Sequence, residues 1–263
     1  MRVPRLGRPK DLDGVTDVII EAMPDDPQWD YRFPKRCEFP EDHRKYTKML
    51  LQCFLDPKFD DWVVMVVEDK QEPRAKEQDP RIVSFGVFDV SYKNKRKVGT
   101  GYKTQDRMYR ALLLVSATLG GASRKDVNRE HFDAFRDEQI KAYERNFRGI
   151  GPDQIHLQIL ATLPSFRGRG HASSICQWAM DLVFSESESL QDVSVMASPM
   201  GFDLYKHLKF TEMETFDVHI PGEEERLTLR AMIYRPKTIS EASDVKKGVN
   251  VIGRNSGPGR VGG

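Results

Sequence analysis

IHLQILATLPSFRGRGHASSICQWAMDLVF, residues 155–184, contains a complete change of secondary structure. Residues 155–163 alternate and are apolar, which predicts a strand. Residues 173–184 place Ile175, Trp178, Ala179, Leu182 and Val183 on one face of a helix. Between them lie Arg167, Gly168, Arg169, Gly170, His171 and Ala172. A strand that enters a helix through glycines builds an anion site. The first-turn N–H groups have no acceptor within the helix, and the helix dipole is positive there. Gly168 and Gly170 let a phosphate approach the backbone and permit turns closed to other residues. Arg167 and Arg169 add charge, and a guanidinium fork can hold a phosphate through two hydrogen bonds. These residues predict a pyrophosphate-binding turn.

Two common phosphate motifs do not fit. A P-loop needs Gly-Lys-Ser/Thr, which the chain lacks. The dinucleotide fingerprint needs a third glycine where Ser173 stands, and it normally follows an early strand. A different spacing does fit: Arg/Gln-x-x-Gly-x-Gly/Ala, here Arg167 to Ala172. It resembles motif A of the Gcn5-related N-acetyltransferase (GNAT) family. The lead-in ILATLPSF, with Pro164 three residues before Arg167, resembles that family's fourth strand. ASPMGFDLYKHLKF (197–210) resembles its fifth strand and following helix, which usually ends L-Y-x-x-L-G-F. Here the ending is Leu204, Tyr205, Lys206, His207, Leu208, Lys209, Phe210. Lys209 replaces the glycine and leaves the tightness of that turn open. The resemblance is specific over about residues 155–210 and extends by element order over 1–236. Its style is most similar to fungal members, which often carry a long insertion between the third and fourth strands.

The rest of the chain reads consistently. Residues 11–23 and 41–55 have helical periodicity, and Pro24 and Pro27 are expected to end the first helix. Residues 24–34 read as a turn-rich aromatic loop. WVVMVVED (62–69) and RIVSFGVFDV (81–90) read as an antiparallel hairpin. A long stretch, about 91–150, follows, with a helical pattern over 126–147; long insertions often shape a binding site. VSVMAS (193–198) reads as a strand, MGFDLYKHLKF (200–210) as a short helix, and ETFDVHI with RLTLRAMIYRP as a closing hairpin. The fold class is therefore α/β (α+β): a mixed, mainly antiparallel sheet flanked by helices. One domain is expected over 1–238, with a polar, Gly-rich tail over 239–263.

Composition narrows the function. The chain has 263 residues, 39% of them hydrophobic and 31% charged, and a net charge of +1. No window approaches the roughly 18 consecutive apolar residues of a membrane span. The start, MRVPRLGRPKDLDG, has no apolar core and is not a secretory signal. A charge near zero gives no general pull toward nucleic acid or anionic membrane, so neither partner is expected. Cys37, Cys53 and Cys176 are far apart in sequence and form neither a disulfide framework nor a metal pair. A reducing, cytoplasmic location follows.

The resemblance implies an acetyl-CoA-dependent enzyme that moves acetyl to a small-molecule amine by direct attack, with no metal. It implies that backbone N–H groups from Arg167 to Ala172 hold the pyrophosphate, with Ser173 in the first helical turn. Leu160, Thr162 and Leu163 would line the pantetheine arm, where the fourth and fifth strands splay apart. Tyr205 stands where the family's usual general acid stands; its alternative is packing against the sheet. Ser198 stands where many members have a cofactor-contacting Asn, or it simply forms the turn before Pro199. Trp29, Tyr31 and Phe33 line a substrate pocket or cover the core. Asp25, Asp26 and Asp30 attract a cationic amine or are solvated. No general base stands out among His156, Glu68 and Asp69, Gln158 cannot serve, and His171 reads as a cofactor neighbour. Cys176 reads as structural, and the basic stretch 93–110 as solvated surface. Rival readings are a protein that binds acyl-CoA without turnover, an O- or longer-chain acyltransferase, and a protein acetyltransferase with an open groove. A homodimer is compatible with all of them.

Overall fold

The computed structural model describes residues 2–70, 80–91, 123–150, 153–185 and 192–236. The tail over 239–263, the basic stretch 93–110 and the apolar run 111–122 lie outside the described residues.

β-Branched residues without polar interruption form β2 (Trp62–Asp69) and β3 (Arg81–Asp89), paired antiparallel. Every residue of β3 from Val83 to Phe88 is buried, so both of its faces are covered. The covers are α1 (Leu12–Ala22) on one side and α5 (His171–Ser185) on the other. At Gly86 a Cβ would lie 2.6 Å from the Ile175 side chain, so glycine there is what lets α5 sit down on the sheet.

Seven strands form one sheet in the order β1-β2-β3-β4-β5-β7-β6. β4 spans Gln154–Thr162, β5 Asp192–Ala197, β6 Thr211–His219 and β7 Arg226–Tyr234. Among the described residues only β4 and β5 run parallel; every other pair is antiparallel. The expected mixed, mainly antiparallel sheet is thus present. β1 is a two-residue strand, Arg5–Leu6, too short to leave a periodic signal. It makes the expected insertion fall between the third and fourth strands.

One stretch read as a loop is helical. Pro24 does not terminate the chain's helical course; it opens a 3₁₀ turn over Met23–Asp25. Pro27 is the first residue of α2 (Pro27–Arg32), where a missing N–H costs nothing. The Asp26 side chain caps that helix, accepting the Gln28 N–H at 3.2 Å. α3 (Pro40–Leu55) packs on α1 and β2. α4 (Arg129–Asn146) is the helix read over 126–147; Asn128 caps it, accepting the N–H of Glu130 at 3.1 Å. It packs on β6 and β7.

The feature that places the site is a parting of strands. β4 and β5 pair only from Gln154–Asp192 to Leu157–Val195. Beyond Leu157, β4 stays with β3 as far as Thr162, and β5 stays with β7 as far as Ala197. The separation begins at a bulge. Leu157 faces Phe88 and Ile159 faces Val87, so Gln158 is the extra residue.

Candidate active site

Where β4 leaves β5, the chain turns through a 3₁₀ segment, Pro164–Phe166, and then through Gly168 and Gly170 into α5. The two glycines have φ of 73° and 82°, in the left-handed region. Nothing lies within 4 Å of a Cβ built at Gly168, so conformation rather than crowding demands glycine there. The first bond of the α5 ladder runs from Ser174 N–H to the Gly170 carbonyl, 2.9 Å. The N–H groups of His171, Ala172 and Ser173 precede it and remain available to a ligand.

The arginines of this turn act differently from the expectation. Arg167 donates to Asp25 at 2.6 Å, to the Ala22 carbonyl at 3.0 Å and to the Thr162 carbonyl at 3.3 Å. Its fork ties the turn to the end of α1. Arg169 donates to the Ser165 carbonyl at 2.9 Å and lies over the Phe166 ring. What this turn offers an anion is therefore its backbone N–H groups and the helix dipole, not its guanidinium groups. His171 is buried, and neither ring nitrogen makes an aligned hydrogen bond; Nε2 lies 3.2 Å from Asp69 Oδ2. Burial lowers its pKa and Asp69 opposes that.

This turn lines one cavity of about 890 Å³ that runs along the parted strands. Leu160, Thr162, Arg167, Gly168, Gly170, His171, Ala172, Ser173, Ser198 and Tyr205 all line it, as do Trp29 and Phe33. Three expected site residues do not. Leu163 is buried in the core, its N–H bonded to Val83. Arg169 points away from the cavity. Tyr31 lies on the other side of α2, stacked on His131 in the cluster under β6 and β7.

Tyr205 sits on α6 (Phe202–His207) with its side chain 5% exposed. Its hydroxyl has no partner among the described residues. Burial pushes its pKa well above the ordinary 10, with Cys176 and Asp26 adding to the shift. At neutral pH it is a protonated phenol. In the same surroundings burial pushes the Cys176 thiol up to about 12. Cys176 is therefore inert, as expected.

The turn after Tyr205 stays tight without its glycine. Lys209 adopts φ 68°. Phe210 N–H bonds the Tyr205 carbonyl at 3.0 Å and Lys209 N–H bonds that of Lys206 at 3.1 Å, a Schellman arrangement. The Phe210 ring then packs 5.5 Å from the Tyr205 ring. A lysine there carries strain that glycine lacks. Lys209→Gly should raise stability by about 1 kcal/mol, read as the urea midpoint. A lowered midpoint would show that the lysine side chain contributes more than its backbone costs.

Ser198 closes the β5 end. Its hydroxyl donates to Asp26 Oδ2 at 2.5 Å and accepts the Gly201 N–H at 3.2 Å. Asp26 is buried at the cavity wall, unlike Asp25, which pairs with Arg167, and Asp30, which pairs with Arg36. Glu68 pairs with Arg5 and Asp69 with Arg2; neither lines the cavity. His156 does. It lies against the rings of Tyr143 and Phe147 and hydrogen-bonds Ser194 at 2.9 Å. Desolvation lowers its pKa to about 4, so it is neutral at physiological pH.

The aromatic wall is held by a buried polar chain. Trp29 Nε1–H donates to His43 Nε2 at 3.0 Å, which leaves the His43 Nδ1–H to donate to Asp126 at 2.6 Å. Arg124 donates to both Asp126 oxygens at 2.6 and 2.8 Å and lies over Phe33. Sequence periodicity carries no trace of this chain, because its members stand at 29, 43, 124 and 126. Arg32 was likewise not singled out by the sequence; it lines the cavity from α2. α4 supplies the facing wall with Phe132, Phe135, Arg136, Gln139 and Tyr143. The described part of the insertion, residues 123–150, thus contributes to the cavity wall.

No family model and no curated protein matches the chain. Solved structures do. One from Corynebacterium glutamicum, described as histone acetyltransferase HPA2 and related acetyltransferase, is 15% identical; the match covers 90% of this chain and 98% of that one, at TM-score 0.50. A polyamine N-acetyltransferase of Drosophila melanogaster is 12% identical, over 90% and 100%, at TM-score 0.47. The PaiA N-acetyltransferase of Thermoplasma acidophilum, in complex with coenzyme A, is 10% identical, over 90% and 99%, at TM-score 0.46. The first of these establishes a shared fold. None of the three is fungal, and the resemblance to fungal members gains no support from them. Among the described residues no helix is long and apolar enough to cross a membrane.

Proposed function

We propose that the chain is an acetyl-CoA-dependent N-acetyltransferase of the GNAT type, forming one domain to about residue 238 and acting on a small-molecule amine. One observation carries the reading: the gap between β4 and β5 opens at one end on the Gly168–Gly170 turn and is lined further along by the unpartnered Tyr205 hydroxyl. A donor with a phosphate head and an extended amide arm fits that shape. N–H groups of the first turn of α5 would hold the phosphates. Backbone groups of Gln158 to Leu160, released from β5, would meet the amides of the arm.

Bound acetyl-CoA supplies an acyl group already activated as a thioester. The protein's work is to place an amine against it, to keep water out and to protonate the departing sulfur. Tyr205 holds its proton at neutral pH and is the acid in this reading. Its raised pKa does not oppose the transfer, because the same burial destabilises a thiolate, as Cys176 illustrates. Asp26 presents a buried carboxylate that draws the acceptor as its ammonium; the nitrogen gives up one proton to solvent before it attacks and a second as the amide forms, which restores the proton Tyr205 gives the sulfur. A small acceptor is favoured over a protein by the wall that α4 builds across the cavity.

The test is direct. Acetyl-CoA should bind the purified chain at micromolar Kd by calorimetry, on the scale of ordinary substrates, and CoA thiol should appear with at least one amine of a broad panel. Tight acetyl-CoA binding with no thiol release from any amine would favour a binding protein instead. Absence of acetyl-CoA binding would end the reading.

A further inference from the structure

Among the described residues four arginines line the cavity: Arg32, Arg124, Arg136 and Arg167. Arg124 is paired with Asp126, Arg136 with Asp133 and Asp137, and Arg167 with Asp25. Arg32 has no carboxylate within ion-pair distance among the described residues. Its Nε–H donates to the Gln28 carbonyl at 3.1 Å and one Nη2–H to Gln28 Oε1 at 3.2 Å. The remaining three of the five guanidinium donors have no protein acceptor there. The group is caged by rings, its centre 4.2 Å from Phe135, 5.1 Å from Trp29 and 5.2 Å from Phe33. A charge taken out of water is ordinarily paired. Burial accordingly pulls the Arg32 pKa down to about 9, against some support from Asp26; it is still charged at neutral pH.

From this arrangement we infer that Arg32 is the subsite for an anionic group on the acceptor, so that the acceptor is an amine that also carries a carboxylate. The charges are set out for it. Arg32 bonds Gln28, the Gln28 amide donates to Asp26 at 3.2 Å, and Asp26 accepts from Ser198 at the foot of α6. This chain puts a carboxylate near Tyr205 and a free guanidinium at its far end. A zwitterion lies along it with its ammonium toward Asp26 and its carboxylate on the Nη atoms of Arg32. The cofactor's phosphates are a poor match. The glycine turn is joined to the end of α1 through Arg167, whereas Arg32 rests on Phe135 of α4, the helix packed on β6 and β7.

The inference rests on the acetyltransferase reading but is tested apart from it. Matched probes differ by one carboxylate: phenylalanine and phenethylamine, tryptophan and tryptamine, 4-aminobutyrate and propylamine. Thiol release gives kcat/KM for each, and calorimetry with CoA present gives Kd without turnover. The carboxylate-bearing member of at least one pair should be preferred by about tenfold to a hundredfold, the range for a charged hydrogen-bonded contact. Arg32→Gln should collapse that ratio toward one through KM, Arg32→Lys should restore part of it, and acetyl-CoA Kd should stay within about twofold. No preference in any pair, by either readout, overturns the inference whether or not the variants fold. So does an Arg32→Gln loss equal for both members, or one that falls on acetyl-CoA. Preference-free turnover would leave the acetyltransferase reading intact, whereas failure of wild-type acetyl-CoA binding would strike that reading instead.

Discussion

Tyr205→Phe should lower kcat by about a hundredfold or more while acetyl-CoA Kd stays nearly unchanged. The substitution removes one oxygen and keeps the ring. That ring holds the packing: it meets Phe210 across the turn, and its aromatic edge lies against Gly201, where a Cβ would come within 3.0 Å of it. Stability should therefore hold, because the hydroxyl has no partner to lose among the described residues. A leaving sulfur without a proton donor departs as a thiolate into an apolar wall, and the barrier rises by the cost of that charge. The loss should shrink with acyl donors whose leaving thiol is more acidic, since they need less protonation. A packing role alone predicts wild-type kcat and no dependence on the leaving thiol.

The second large effect lies outside the chemistry. Asp126→Asn should destabilise the fold by about 3 kcal/mol, measured by urea unfolding. Asp126 is fully buried and Arg124 nearly so, and removing the carboxylate charge takes away the anion that balances the guanidinium between Phe33 and Tyr46. His43 loses its acceptor in the same step, and Trp29 loses the tautomer it donates to. Acceptor KM should rise as the aromatic wall loosens. The pH dependence follows in sign. Burial works to raise the Asp126 pKa, but the hydrogen bonds from His43 and Arg124 outweigh it and hold the group at about 2, below its ordinary 3.8. Stability from this carboxylate is full above the ordinary value and is lost as pH falls from there through about 2. The variant's stability should be flatter across that window; parallel curves would assign the network no charge dependence.

The fold was legible wherever chemistry repeats along the chain. The alternation of 155–163, the helical face of 173–184 and the apolar runs of β2 and β3 are local patterns, and each became the expected element. The glycine turn was legible because positive φ restricts the choice of residue. Lys209 marks the limit of that logic, since it meets the same φ demand without a glycine. β1 and α2 were missed because two residues have no period and because Pro24 and Pro27 mark helix starts as well as ends. The turn of the proposed cofactor side was legible, because its residues are neighbours in the chain. The proposed acceptor side was hidden. Arg32 matters there for a carboxylate it lacks among the described residues, and Asp126 for His43, eighty-three residues away, relations that only the folded chain displays.

Among the described residues the strand order leaves the sheet with two open borders. A sheet that does not close leaves two rows of unpaired amides, which invite another chain to add a strand. Here one rim ends in the two residues of β1, and Arg5 on it is held inward by Asp11 and Glu68. The other rim is β6, which bulges at Met213 and carries Glu212, Glu214 and Asp217. A second copy laid along it would meet a kinked edge whose carboxylates are already engaged, Glu214 by Arg145 and Glu212 by Arg230. Both borders of the described sheet thus carry features that disfavour the addition of another strand.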